Sequence, residues 1–358
     1  MTRVPTARED ILALRSYVAG EQIEDTIRLN ANEAPQSHWI DSGQAALNRY
    51  PEVHPKTLRD RMASLFDMPA ANILVTRGSS EAIDVLIRAW CRAYADSIIT
   101  APPTFDMYRV YADIQGVEMI EVPIRADNDF RLDTDGVLDC CTSSTKLIFI
   151  CSPNNPTGTL VPEEDILKIV RGRRNKSVVV VDEAYIEFSD RHSMARKVLD
   201  YNNLVVLRTL SKAHALAGAR CGAAIACEEI VDVMSKVLPP YSFPTPVIDA
   251  VMSALSGDGL NQSTEAVAGI VTERDRVFEA LKSVTCVAEA WPSQSNFLLV
   301  RFHDLTSAQA QLLNDGILIR NFNNVFGLEN CARITIGTPD ENDALLKSLT
   351  KSGEQSDG

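Results

Sequence analysis

The chain has 358 residues, is 45% hydrophobic, and carries 48 Asp and Glu against 35 Lys and Arg, a formal charge of -13. That length suits one large domain with a smaller companion, and an acidic balance without a basic stripe excludes a surface built to meet a nucleic-acid backbone. Residues 1–10 lack the apolar run of a signal peptide and no later segment reaches membrane-spanning length, so a cytoplasmic protein with neither nucleic acid nor membrane as partner is expected.

Short apolar runs at 72–76, 97–101, 117–122, 146–151, 177–181, 204–207 and 222–226 predict strands, several too continuously apolar for a sheet with one wet face. Helical patterns at 80–94, 104–115 and 163–171 alternate with them. That alternation predicts an α/β fold, a mainly parallel sheet with helices on both faces. After the proline-rich stretch 239–246 comes a helical run at 262–283, then strands near 296–302 and 332–336. The expected division is a large domain over 51–258, a small α/β domain over 259–352 and a disordered tail over 353–358. The amino-terminal segment 1–50, too short to fold alone, is expected to dock on the small domain. The eight cysteines are scattered, with no C-x-x-C pair and no histidines at ligand spacing, so they read as reduced, mostly buried thiols and no metal site is expected.

In an open parallel sheet, ligands collect beyond the carboxyl ends of the strands. Three segments fall there: 152–158 (SPNNPTG), 182–185 (DEAY) and 209–212 (TLSK). Each alone is explained as well by turns, caps or a solvated lysine. Together they suggest a chemistry. A lysine amine can form an imine with an aldehyde cofactor, and a carboxylate facing a pyridine nitrogen keeps it protonated so that the ring accepts electrons. Lys212 and Asp182 suit those two tasks.

The stretches SPNNPTG, VVDEAY and TLSKAHALAGAR resemble, in order and spacing, those of the fold-type-I pyridoxal-phosphate (PLP) aminotransferases. The resemblance implies that fold, PLP as cofactor, Lys212 as the Schiff-base lysine and Asp182 as partner of the pyridinium nitrogen. It also implies Asn155 and Tyr185 at the ring hydroxyl, Arg220 on the cofactor phosphate, and Tyr108, in PPTFDMYRV, stacked on the ring. Ser79 and Ser80, where a glycine turn opens a helix, suit a phosphate cradle on physical grounds, with Thr209 and Ser211 as further donors.

A closer resemblance, over nearly the whole chain, is to the histidinol-phosphate aminotransferase subfamily, through LNANEAP at 29–35, NRYPE at 48–52, RGSSEAID at 77–84 and RITIGTPDEN at 333–342. It implies a homodimer in which Tyr50 reaches the cofactor phosphate of the neighbouring subunit and the amino-terminal segment meets the dimer partner. Asn32 is then near the substrate, Arg333 grips the carboxylate of glutamate or 2-oxoglutarate, and Tyr17 and Arg320 contact the phosphate end of histidinol phosphate. The chain departs from the subfamily pattern at Ser16 and Ala19, where prolines are usual, and at Ala34, where asparagine is usual. An aromatic amino-acid aminotransferase and a PLP decarboxylase of phosphorylated amino acids would share every cofactor residue. A PLP-binding regulator would need a DNA-binding segment for which no room is seen before Asn30.

Overall fold

A computed structural model describes Val4, residues 7–15, Tyr17, and residues 27–37 and 47–354. Seven strands form the larger sheet: β1 (Ile73–Thr76), β2 (Ser97–Thr100), β3 (Glu118–Glu121), β4 (Thr145–Cys151), β5 (Val178–Asp182), β6 (Leu204–Thr209) and β7 (Gly222–Ile225). Their order is β1-β7-β6-β5-β4-β2-β3. The run from β3 to β6 is parallel, and β7 is antiparallel to both its neighbours.

The sequence explains why this sheet is sandwiched. Alternate residues of a strand point to opposite faces, and here both sets are apolar. Ile148, Ile150, Val179 and Val181 enter one core cluster with Leu58 and Met62 of helix Lys56–Leu65. Leu147, Phe149, Val178 and Val180 enter the other with Ile83, Leu86 and Trp90 of helix Gly78–Trp90. Burying each such side chain contributes about 1.5–3 kcal/mol, and the β-branched run of β5 packs well on a pleated surface. The consequence for the site is positional. Asp182 continues the face of Val178 and Val180, toward the helix layer that holds Tyr108.

Four further strands, β8 (Val287–Ala290), β9 (Phe297–Phe302), β10 (Arg320–Asn321) and β11 (Cys331–Thr335), form an antiparallel sheet in the order β10-β11-β9-β8. Val277 and Leu281, at the end of the long helix Gly257–Leu281, pack on it with Leu305 and Leu312 of helix Leu305–Asn314 and Leu345 and Leu349 of helix Pro339–Glu354. The buried Arg274 ties the two sheets together, donating to the carbonyls of Phe188 and Ser295 at 3.0 and 3.2 Å. Phe297 completes the seam against Tyr185, Phe188 and Ala213.

One expectation is corrected here. Residues 7–12 of the amino-terminal segment lie on the helix layer of the larger sheet, not on the small one: Ala7 is buried in that core, the Arg8 amide donates to Ala89 O at 3.0 Å, and Lys236 Nζ donates to Leu12 O at 2.8 Å. The apolar flank of helix Gly78–Trp90 offers the area that the segment needs. Where a disordered tail was expected, helix Pro339–Glu354 runs into its first residues, and 355–358 lie outside the described residues. The flanking positions Ser16 and Ala19 lie outside them as well. No described helix is long and apolar enough to cross a membrane.

Candidate active site

The parallel strands β4, β5 and β6 end side by side, and their last residues and following loops meet at one cavity of about 220 Å³. Its lining includes Ser79, Ser80, Asn155, Asp182, Tyr185, Thr209, Ser211, Lys212 and Arg220, nine residues expected from the sequence.

Asp182 ends β5 and is only 2% exposed. Its Oδ2 accepts the Tyr108 hydroxyl at 3.0 Å and its Oδ1 the Ala184 amide at 3.2 Å. Burial pushes its carboxyl up to about 6, against the pull of those two donors and of the Lys212 charge. Lys212 follows β6 in an open turn, with Nζ 5.6 Å from the Tyr185 ring centre. Its side chain is reached by solvent, yet loss of hydration around the amine and the positive charges of Arg333 and Arg220 hold its pKa below the usual lysine value. A larger share of free amine follows, which is what a nucleophile or base needs.

At the other end of the cavity, helix Gly78–Trp90 begins. Gly78 has φ +74°, and a Cβ there would stand 2.9 Å from Arg220 Nη2, so glycine both makes the turn and lets the guanidinium lie over the helix end. Arg220 donates to Ser211 Oγ at 3.3 Å and Ala217 O at 3.2 Å, and Thr209 Oγ1 is 3.0 Å from Ser211 Oγ. Four hydroxyls, a guanidinium and the positive end of a helix converge here, a donor set that suits an anion such as a phosphate.

Asn155 is a junction. Its Nδ2 donates to the Tyr185 hydroxyl at 3.5 Å, and its Oδ1 accepts from Arg333 Nη1 at 2.5 Å. Arg333 thereby leans from β11 onto the larger sheet, its guanidinium over Phe297 at 5.2 Å. Burial and the nearby Arg320 lower its pKa, and the Tyr185 hydroxyl counteracts them. Burial likewise drives the Tyr185 phenol up, so it stays protonated. Arg320 is exposed on β10, in register opposite Arg333.

The remaining expected residues sit apart from the cavity lining. Tyr50 packs on Tyr241 at 4.8 Å between ring centres and Tyr17 on the same ring at 6.0 Å, an aromatic group with Tyr17 and Tyr50 exposed. Asn32, in left-handed conformation at φ 54°, is exposed beside Glu33, whose carboxylate takes Arg28, Arg49 and the Tyr50 amide at 2.6 to 2.8 Å. Tyr108 is not where a stacking residue would be: it is 1% exposed, its ring stacks on Phe149 at 4.8 Å, and it stands behind Asp182. The residue of this motif that lines the cavity is Phe105, three positions earlier, which joins Tyr185 as an aromatic side chain of the lining.

A larger cleft of about 990 Å³ opens on the other side of Phe105. Its arginines are already matched: Arg109 with Glu121, Arg125 with Asp127, and Arg301 with Glu289. No lysine is among its described lining residues, and the smaller cavity, with Lys212, is the candidate site.

A family model for class I and II aminotransferases matches residues 24–349. The chain belongs to that family. Among relatives of this aminotransferase, the histidinol-phosphate aminotransferase of Shigella flexneri serotype 5b (strain 8401) is 39% identical over 351 residues, which is 98% of each chain. Two solved structures share the fold. The histidinol-phosphate aminotransferase of Clostridium acetobutylicum has a TM-score of 0.79 at 23% identity, over 86% of this chain and 92% of its own. That of Sinorhizobium meliloti, in complex with pyridoxal-5'-phosphate, has a TM-score of 0.77 at 23% identity, over 87% and 84%. The cavity fits such a group: an amine for an aldehyde, a buried carboxylate for a ring nitrogen and the anion site for a phosphate ester.

Proposed function

We propose that this aminotransferase moves the amino group of L-histidinol phosphate to 2-oxoglutarate, giving imidazole acetol phosphate and glutamate, with PLP held on Lys212, as a step of histidine biosynthesis. The observation that carries the reading is the placement of Lys212, Asp182 and the hydroxyl and guanidinium donors around one cavity, with Arg333 of the second sheet bonded to Asn155 of its lining.

When bound, PLP supplies an aldehyde that condenses with amines and a ring that takes up the electron pair left at the neighbouring carbon. Ser79, Ser80, Thr209, Ser211 and Arg220 would hold its phosphate, and Asn155 and Tyr185 its ring hydroxyl. Asp182 would accept a hydrogen bond from the protonated ring nitrogen, and Phe105 would cover the ring face. Lys212 has two tasks. Its lowered basicity would favour the free amine that the aldehyde needs, and once released by the substrate amine, Nζ would take up the proton from the substrate carbon that bears the nitrogen. Arg333, already turned toward Asn155, would bind the carboxylate of glutamate or 2-oxoglutarate, and with Arg320 and Tyr17 the phosphate of the other substrate. Asn32 would lie at the substrate's entrance. Because the two substrates use the site in turn, ping-pong kinetics follow.

The reading includes a cytoplasmic homodimer with Tyr50 delivered to the neighbour's cofactor phosphate, which accords with its exposed ring. It also includes a large domain over 51–258 and a small one over 259–352. A steady-state comparison of histidinol phosphate, phenylalanine and threonine phosphate as donors tests the substrate. Histidinol phosphate should give the highest kcat/KM, whereas a preference for phenylalanine would make this an aromatic aminotransferase and carbon dioxide release from threonine phosphate a decarboxylase.

A further inference from the structure

We propose that Tyr108 is a positioning residue for this reaction: its hydroxyl braces the Asp182 carboxylate from behind and keeps it an acceptor aimed at the cofactor's ring nitrogen. The inference rests on the reading of Asp182 given above.

Geometry makes the brace specific. The Tyr108 hydroxyl meets Oδ2 at 3.0 Å and the Ala184 amide meets Oδ1 at 3.2 Å, so a donor on each oxygen sets the plane of the carboxylate. The tyrosine itself cannot swing away. It is 1% exposed, lies flat on Phe149 with an interplanar angle of 18°, and meets the edge of Phe105 at 5.7 Å between centres. Phe149 and Asp182 belong to adjacent strands, β4 and β5, so the ring that carries the hydroxyl is registered on the same sheet as its acceptor. Phe105 lines the cavity, so a single chain turn before and within helix Met107–Gln115 supplies both a wall of the site and the brace behind it.

The brace also has an electrostatic task. A carboxyl this deeply buried favours its protonated form, and a protonated Asp182 could not hold a proton on a facing nitrogen. The ionisable groups around it are Tyr108, Cys151, Tyr185 and Lys212. Burial keeps the thiol and both phenols neutral, leaving Lys212 as the facing cation, and the influence that most opposes burial at Asp182 is the Tyr108 hydroxyl.

Two variants and two readouts test this without relying on turnover. Tyr108→Phe removes only the hydroxyl, and Tyr108→Met removes hydroxyl and ring. In cofactor-free protein labelled with carboxyl-13C aspartate, the Asp182 signal, assigned by its loss in Asp182→Asn, should titrate about one pH unit or more higher in both variants. In protein loaded with ring-15N PLP, the nitrogen signal of both should shift toward that of neutral pyridine, while Tyr108→Met alone loses much thermal stability. An Asp182 titration and a nitrogen signal that stay put in Tyr108→Phe, while Asp182→Asn does move the nitrogen signal, would refute the brace and leave the role of Asp182 standing. A nitrogen signal unmoved by Asp182→Asn would overturn that role and the inference with it.

Discussion

Arg320 and Arg333 stand directly opposite each other on β10 and β11. Like charges so placed destabilise a sheet, and Arg320 is one of the causes that lower the Arg333 pKa. A dianion bound between them, as the proposed function has it, would relieve that repulsion and gain charge-assisted hydrogen bonds, which would make the pair a selectivity device. Losing one such donor should cost about 1.5–3 kcal/mol of binding. Arg320→Ala should therefore lower kcat/KM for histidinol phosphate by roughly tenfold to a hundredfold and leave phenylalanine nearly unchanged, whereas Arg333→Ala should also impair the glutamate half-reaction. Equal losses for both donors in Arg320→Ala would remove the phosphate pocket from the account.

Asp182→Ala should keep PLP through the phosphate donors and slow proton transfer by orders of magnitude, because the ring nitrogen loses its ionised partner. Single-turnover absorbance changes measure that step directly. Near-normal rates would return Asp182 to a turn-capping role through its bond from the Ala184 amide.

The same carboxyl gives a pH signature in cofactor-free protein. Asp182 and Glu183 are both buried and pushed up, to about 6 and about 7, the latter against the charge of Arg208 and donors from Met194 and Ser193. A carboxyl raised above its unfolded value holds a proton in the folded state that the unfolded chain has released, so its stabilising effect is complete at low pH and is lost as pH rises through the folded value. Asp182→Asn abolishes that dependence at one group. Its stability relative to the parent protein should climb from about pH 3.5, where the unfolded carboxyl begins to ionise, to about pH 6.5, where the folded one has ionised too, reaching an advantage on the order of 2–3 kcal/mol read from melting temperatures. A constant difference across that range would mean that Asp182 is not raised.

Much of this was legible in the sequence because strand and chemistry coincide there. The valines of β5 lead straight into Asp182, and β6 leads into Thr209, Ser211 and Lys212, so locating the strands also located the residues at their carboxyl ends. What stayed hidden was orientation and distance. Tyr108 and Phe105 are three positions apart in one motif, and only the fold, with Phe105 before the helix and Tyr108 inside it, decides which of them faces the cavity. The contact of Arg333 with Asn155 spans two sheets. The docking of Ala7 and Arg8 on helix Gly78–Trp90 depends on an apolar flank that no local pattern announces. The short strand β10 and the half-exposed β8 lack the apolar run that betrays a buried strand.

The proposed sharing of Tyr50 predicts complementation. Tyr50→Ala and Lys212→Ala subunits, each strongly impaired alone, should regain activity when mixed and allowed to exchange, since one site of the hybrid then receives an intact copy of both residues. Hybrids verified by mass that gain nothing would count against a shared site.

The central claim is that the amine beside Asp182 and the anion site is the one that holds the cofactor. Borohydride reduction of the PLP-loaded protein, followed by peptide mass mapping, tests it directly. The reduced pyridoxyl mass should appear on the peptide containing Lys212 and vanish, with the yellow absorbance shift, in Lys212→Ala. A stable adduct on any other lysine, or one that persists in that variant, would contradict the account.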